Sequence, residues 1–189
     1  MIALSNHGII LRDFREGDQR EYEALRNDFK FQRFYREEEA AEQRAASLLA
    51  MFIAESNAVP RLKYRFAVVS GSGELMGACG ICVQSPRLAS IGCELGRQWQ
   101  WTGVARHVCV ALLDFGFTEL GVFRVYAETI SDNVAAKRLC RTLGMSLYME
   151  RVDDLFFKDR AWNTTIFQIW RDDWLRRRGL SSEVRVLGQ

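Results

Sequence analysis

The stretch Ser90–Met145, SIGCELGRQWQWTGVARHVCVALLDFGFTELGVFRVYAETISDNVAAKRLCRTLGM, decides how the rest of the chain is read. Its opening SIGCELGR is strand-like, with Ile91, Cys93 and Leu95 on one face, and QWQWTGVARH leads from it into an unbroken helical pattern. FRVYAETI is a second strand, and SDNVAAKRLCRTLG is a short helix stopped by Gly144. Strand, glycine turn, helix, strand and helix make a βαβα unit, and the first turn of such a unit is the natural seat for an anion. Gly103 opens the helix without a side chain, so the backbone N–H groups of Val104, Ala105 and Arg106 are expected to face a pyrophosphate at the positive end of the helix dipole. The plainer reading of a glycine before a helix is a tight connection.

Outward from this unit the periodicities continue. Ala105, Val108, Cys109, Leu112, Leu113, Gly116 and Phe117 form the buried stripe of the long helix, which Gly121 ends. Ser131 or Asp132 caps the next helix, whose inward face is Ala135, Ala136, Leu139 and Leu143. Upstream, GIILRDF reads as a first or edge strand, Asp18 as an N-cap, and Tyr22, Leu25 and Phe29 as the apolar positions of a helix. A second helix gathers Ala41, Ala45, Leu48, Leu49, Phe52 and Ile53 on one face, the pattern of a helix laid on a sheet. YRFAVVSGSGELMGACGICVQ is a hairpin turning at Ser70–Gly73, and ASIGCEL adds the third strand of the meander. MSLYMERVDDLFF and WNTTIFQIWRDDW flank KDRA as a carboxy-terminal hairpin.

Composition narrows the function classes. With 189 residues, 48% of them hydrophobic, the chain suits one domain over 1–178 and a polar, poorly ordered tail over 179–189. A net charge of +2 gives no footprint for a nucleic-acid partner, and the basic WLRRRG, preceded by Asp172 and Asp173, reads as a solvated helix face. Five cysteines, an odd number lying mostly in apolar patterns, point to reduced thiols in a cytoplasm. Cys79 and Cys82 have CxxC spacing, yet no second pair or suitably spaced histidine follows, so no zinc site is expected. No apolar run nears the ~20 residues of a membrane span, and MIALSNHGIILRDF lacks the pattern of a secretory leader. A soluble cytoplasmic protein with no membrane partner is expected. The glycine spacing is not GxGxxG and no acidic residue follows where a ribose would need one, which excludes a nicotinamide-dependent oxidoreductase.

IGCEL before the turn, GVA within it, ALLDFGFTELGVFRVYAETI beyond it and DNVAAKRLCRTLGM after that resemble the GNAT superfamily of acyl-CoA N-acyltransferases, in the branch of the ribosomal-protein alanine acetyltransferases. The resemblance covers roughly residues 8 to 170, and Asp114–Met145 is its most specific part. The family turn has the form Q/R-x-x-G-x-G/A, and Trp101 stands here at the first glycine. The resemblance implies a mixed α/β (α+β) fold: a central, mostly antiparallel twisted sheet flanked by helices, in which ASIGCEL and FRVYAETI are parallel neighbours that splay apart. It implies acetyl-CoA (coenzyme A) as acyl donor, no metal, and a primary amine as acceptor, either a protein N-terminus or a small molecule such as an aminoglycoside, polyamine or amino sugar. A homodimer contact through the carboxy-terminal hairpin is an expectation by analogy.

Residue by residue, the resemblance implies that the backbone of Leu95, Gly96 and Arg97 holds the pantetheine arm as an added strand would, while Gln98, Thr102, Gly103, Val104, Ala105 and Arg106 form the phosphate turn. Asn133 falls against the pantetheine or the thioester, or it caps its helix, a task for which Ser131 and Asp132 already compete. Phe34, Tyr35 and Glu38, in FKFQRFYREEE, fall where the family walls its acceptor pocket, and their simpler roles are core packing and helix-dipole complement. Attack requires a neutral amine, whereas an alkylammonium has a pKa near ~10.4, so a carboxylate acting through water is needed. Glu94 is the first candidate base; otherwise it orients the amine or faces solvent. Cys140 occupies the position of the family's tyrosine proton donor, or is a small buried helix residue, and Tyr148 is the substitute donor. Ser90 stands where the family often has a glutamate. A module that binds acyl-CoA without turnover is the competing reading.

Overall fold

Alternation along strand β3, Lys63–Ser70, shows how the layers are built: Phe66 and Val68 enter one apolar cluster, Ala67 and Val69 another on the opposite face. A strand buried on both sides must lie within a sheet covered by helices on both faces. The computed structural model describes residues 3–28, 31–36 and 42–179. Among these, the remaining strands are β1 (Ala3–Asn6), β2 (Ile9–Asp13), β4 (Leu75–Ser85), β5 (Leu88–Leu95), β6 (Arg124–Ile130), β7 (Ser146–Phe157) and β8 (Arg160–Trp170). They form one sheet in the order β1-β2-β3-β4-β5-β6-β8-β7, in which only β5 and β6 are parallel neighbours. The expected mixed fold is therefore the observed one.

Two helices, α1 (Gln19–Arg26) and α2 (Glu42–Ser56), cover one face, burying Tyr22, Ala45, Leu49 and Phe52 with Phe14. Helix α3 (Val104–Thr118) covers the other, with Val108, Leu112, Leu113 and Phe117 almost wholly buried. It also supplies the crossover that parallel strands require. Beside it lie α4 (Val134–Thr142), through Cys140, and α5 (Arg171–Arg177), whose Trp174 donates its indole N–H to Asp114 at 2.8 Å. Gly116 lets α3 approach the sheet: a β-carbon there would come within 2.6 Å of the Ile81 side chain. No described helix is long and apolar enough to cross a membrane.

Several local expectations are corrected. GIILRDF is the second strand, because His7 and Gly8, both at positive φ, form a two-residue hairpin loop back to β1. Asp18 precedes α1 but does not cap it; its carboxylate turns back to accept from the Arg15 amide and the Arg12 guanidinium. Neither Ser131 nor Asp132 caps α4. Ser131 is hydrogen-bonded to Thr165 and Asp132 is paired with Arg160, and the cap is Asn133, whose Oδ1 accepts from the Ala136 amide at 3.1 Å. Ala135 is exposed, and Cys140 takes its expected inward place. Arg171–Trp174, read as strand, opens α5, with Asp172 and Asp173 in the first turn complementing its dipole. The expected tail lies outside the described residues, apart from Gly179.

Candidate functional site

Strand β5 treats its two neighbours differently. Against β4 it is paired from Leu88 to Leu95, whereas against β6 the pairing ends after Leu88–Arg124, Ala89–Val125 and Ser90–Tyr126. Beyond that point β6 pairs with β8 along its whole length, so the strands part and leave a gap that widens toward the end of β5. Because the Gly96 amide donates to Met76 at 2.9 Å, the alternation of an antiparallel ladder turns the peptide groups of Cys93 and Leu95 toward the gap. Of the expected Leu95, Gly96 and Arg97, Leu95 faces the gap together with Cys93, whereas the Gly96 amide is committed to β4. Gln100 Nε2 also donates to the Leu95 carbonyl at 3.3 Å.

The turn after β5 is a short 3-10 segment, Arg97–Trp99, followed by Gln100, Trp101, Thr102 and Gly103. Gly103 has φ 88 and a β-carbon there would meet nothing within 4 Å, so this position presents bare backbone to open space. Among the described residues no acceptor is found for the Val104 and Ala105 amides, as a helix N-terminus open to an anion requires. The Arg106 amide is different: it donates to the Gly103 carbonyl at 3.0 Å, because the first turn tightens, and it drops out of the anion-facing set. Thr102 Oγ1 donates to the Trp99 carbonyl at 2.6 Å and braces the turn, and Gln98 is engaged by Glu74 at 2.8 Å. Trp101 adopts the left-handed conformation, φ 66, that a glycine would take freely, at a cost of about 1–2 kcal/mol. Its ring is 77% exposed. The buried indole N–H of Trp99 has no partner among the described residues.

On the face of β5 that carries α1, Glu94 closes the open end of the strand. Its carboxylate accepts from the hydroxyl groups of Tyr35 and, at 3.3 Å, Tyr22, and lies 3.5 Å from Arg26, whose guanidinium sits 5.0 Å from the centre of the Tyr35 ring. Burial, reinforced by the charge of Glu94, pushes both tyrosines up, so each stays a proton donor. Burial alone depresses Arg26, but Glu94 and the two tyrosines outweigh it and raise its pKa. The side chain of Glu94 keeps 22% of its surface exposed. Tyr22 was read only as a helix position, and Arg26 was not singled out. Their i, i+4 spacing puts them on one face of α1, and a buried arginine needs a carboxylate, which is the signal the sequence carried.

Other expected residues sit elsewhere. Phe34 packs edge-on against Trp162, 6.0 Å between centroids, in a small cluster with Ile130 and Phe157, so packing is its role. Glu38 lies outside the described residues. Cys140 is buried and its thiol is pushed up to about 12 by that burial. A group that holds its proton so firmly is a poorer acid than an ordinary thiol near ~8.5, so proton transfer from Cys140 to a departing thiolate runs uphill. Tyr148 starts two strands from the gap, roughly 10 Å away, with Arg124 of the zipped end of β6 over its ring at 5.5 Å. Ser90, at the last paired position, accepts from Gln84 at 2.8 Å. No group of three or more metal-ligating side chains forms among the described residues.

An elongated ligand with a diphosphate at one end fits this arrangement: amides to hold the phosphates, a strand edge to hold a peptide-like arm, and a carboxylate where the arm ends. The fold matches that of an acetyltransferase (GNAT family) from Bacillus anthracis, with a TM-score of 0.78 at 16% identity over 90% of this chain and 99% of that one. It also matches the spermidine N-acetyltransferase from Vibrio cholerae in complex with CoA and spermine, with a TM-score of 0.76 at 22% identity over 90% and 99%. At these identities the likeness is one of fold. An uncharacterized N-acetyltransferase of Bacillus licheniformis, p20, is 33% identical over 82 residues, which span 42% of this chain and under half, 46%, of that protein. Residues 9–146 match the acetyltransferase (GNAT) domain, and the chain belongs to that family.

Proposed function

We propose that this protein is an acyl-CoA-dependent N-acetyltransferase that moves an acetyl group from acetyl-CoA to a primary amine by direct attack while both are bound. The observation that carries this reading is the one-sided opening of β5: full pairing to β4, three pairs to β6, and unpartnered amides at the turn beyond. When bound, acetyl-CoA supplies an activated acyl carbonyl on a thiol leaving group. The amides of Val104 and Ala105, with the dipole of α3, would hold its diphosphate, and the peptide groups of Cys93 and Leu95 its pantetheine arm.

Glu94 is the proposed base, taking a proton from the incoming ammonium directly or through a water molecule. Tyr35 and Tyr22 aim the carboxylate, and Arg26 pairs with it. The expelled thiolate, with an ordinary pKa near ~8.5, needs little help from the protein. The reading of the acceptor as an amine draws support from the V. cholerae fold relative, which is a spermidine N-acetyltransferase. Whether the acceptor is a small amine or a protein N-terminus, as in the ribosomal-protein alanine branch, is decided by assay. Thiol release from acetyl-CoA should appear only with amines from one of these classes and should fall in Glu94→Gln. Tight acetyl-CoA binding with no release against any acceptor would replace the enzyme by a binding module.

A further inference from the structure

The turn that precedes α3 keeps a large apolar side chain in solvent at a position whose backbone suits only glycine well. Trp101 has φ 66 and is 77% exposed, while Trp162 and Trp174 are 7% and 3% exposed. Its ring makes no aromatic or cation contact with the described residues, so core packing does not explain it. Folding would be served better by the glycine that the family pattern has here. A strained conformation that persists without a packing reason points to a ligand.

We propose that Trp101 is a stacking platform for the purine ring of the acyl donor, an inference that rests on the acetyl-CoA reading above. The geometry of the turn directs it. A diphosphate at the Val104 and Ala105 amides with its pantetheine arm running inward along Cys93 and Leu95 leaves the nucleoside on the outer side of the phosphates. Trp101 lies two residues before Gly103, exposed on the turn that carries those amides. The turn beneath it is firm: Thr102 Oγ1 bonds the Trp99 carbonyl, and Trp99 packs against the main core while its indole N–H stays unpartnered among the described residues. A flat purine over an exposed indole gains both apolar burial and ring stacking.

Equilibrium binding of two probes tests this: acetyl-CoA, and acetyl-4′-phosphopantetheine, which has the arm and a phosphate but no purine. The wild-type protein should bind acetyl-CoA more tightly. Trp101→Gly should weaken acetyl-CoA about tenfold and leave acetyl-4′-phosphopantetheine unchanged, while melting no lower than wild type because the backbone strain is relieved. Trp101→Phe, which keeps a ring, should restore most of the affinity. Indole fluorescence gives a check that does not depend on Trp101→Gly folding: acetyl-CoA should quench the wild type, the purine-free probe should not, and the quench should vanish in Trp101→Phe. Equal loss of both probes, or no loss of either, would overturn the stacking role and leave the acetyl-CoA reading standing. Failure of the wild-type protein to bind either probe would remove both.

Discussion

The two edges of strand β5 are made by the same residues and meet opposite fates. Toward β4, Gly77 brings the backbones so close that a β-carbon there would lie 2.1 Å from the Glu94 carbonyl oxygen and 2.9 Å from the Leu95 Cα. Toward β6, the ladder stops at Ser90, and Cys93 and Leu95 turn their peptide groups to an edge with no strand beside it among the described residues, where Gln100 reaches the Leu95 carbonyl. Unpaired peptide groups away from water are costly, so an interior strand left open along half its length needs something to complete it. The closed edge is scaffold and the open one is the proposed site. Glu94 belongs to both, since its backbone is locked against β4 and its side chain is held by the α1 side of the sheet.

The strongest way to break this contrast is to disable the open edge while leaving the closed one intact. Glu94→Gln should lower kcat/KM about 10²- to 10⁴-fold with little change in acetyl-CoA binding, measured by thiol release and calorimetry, and should lower the melting temperature because the buried Arg26 loses its carboxylate. A fall below tenfold would return Glu94 to a substrate-orienting role. The converse experiment attacks the closed edge. In Gly77→Ala the added methyl meets backbone atoms that have nowhere to move, and the loss should be about 3 kcal/mol or more by denaturant unfolding, with activity falling only as the folded fraction falls. A stable Gly77→Ala protein would mean the β4 contact is looser than described.

Smaller effects sharpen the comparison. Tyr35→Phe removes one of the hydroxyl groups on the Glu94 carboxylate and should cost roughly tenfold in kcat with the fold unchanged. A pH–rate profile in Tyr35→Phe identical to wild type would show that the hydroxyl does not act on the base. Asp18 serves as a control remote from the gap. Burial raises its pKa, but the Arg12 guanidinium and the Arg15 amide outweigh burial and hold it below the usual carboxylate value. Its contribution is therefore present above the unfolded carboxylate pKa and disappears as pH falls through the depressed folded one. Asp18→Asn should lower stability by about 1–2 kcal/mol at neutral pH, flatten the acid side of the melting profile and leave acetyl-CoA binding alone. Least affected should be Asn133→Ala, with about 1 kcal/mol lost from the cap of α4. A weakened acetyl-CoA affinity in the same variant would add the cofactor role expected from its place in the family pattern.

Much of the fold was legible because it follows from local periodicity. The glycine-opened α3, the strand at β6 and the amphipathic α2 each announce themselves within about 15 residues. Short-range competition was harder to resolve. Ser131, Asp132 and Asn133 all can cap a helix, and the choice was made by Thr165 and Arg160, which occupy the first two from the neighbouring strand β8. β1 escaped notice because its loop is two residues long and uses a histidine at positive φ beside the glycine. The gap followed from family resemblance and not from spacing, since no pattern within β5 says where its partner leaves. Glu94 was found from its place at the strand end. Its partners Tyr22 and Tyr35, separated from it by 72 and 59 residues, were not assigned to it, because only the tertiary packing of α1 and of the segment after it brings them there.

The central claim is that the parted half of the β5–β6 pair receives acyl-CoA, and amide-resolved NMR titration with coenzyme A tests it without depending on the acceptor. The amide resonances of Cys93, Leu95, Val104 and Ala105 should shift together and saturably, while those of Gly80 and Gly96, committed to the β4 side, and of Leu88 and Arg124, at the zipped end, stay in place. Saturable binding that leaves those four amides unmoved, or shifts that cluster elsewhere on the sheet, would contradict the assignment of the gap as the cofactor site.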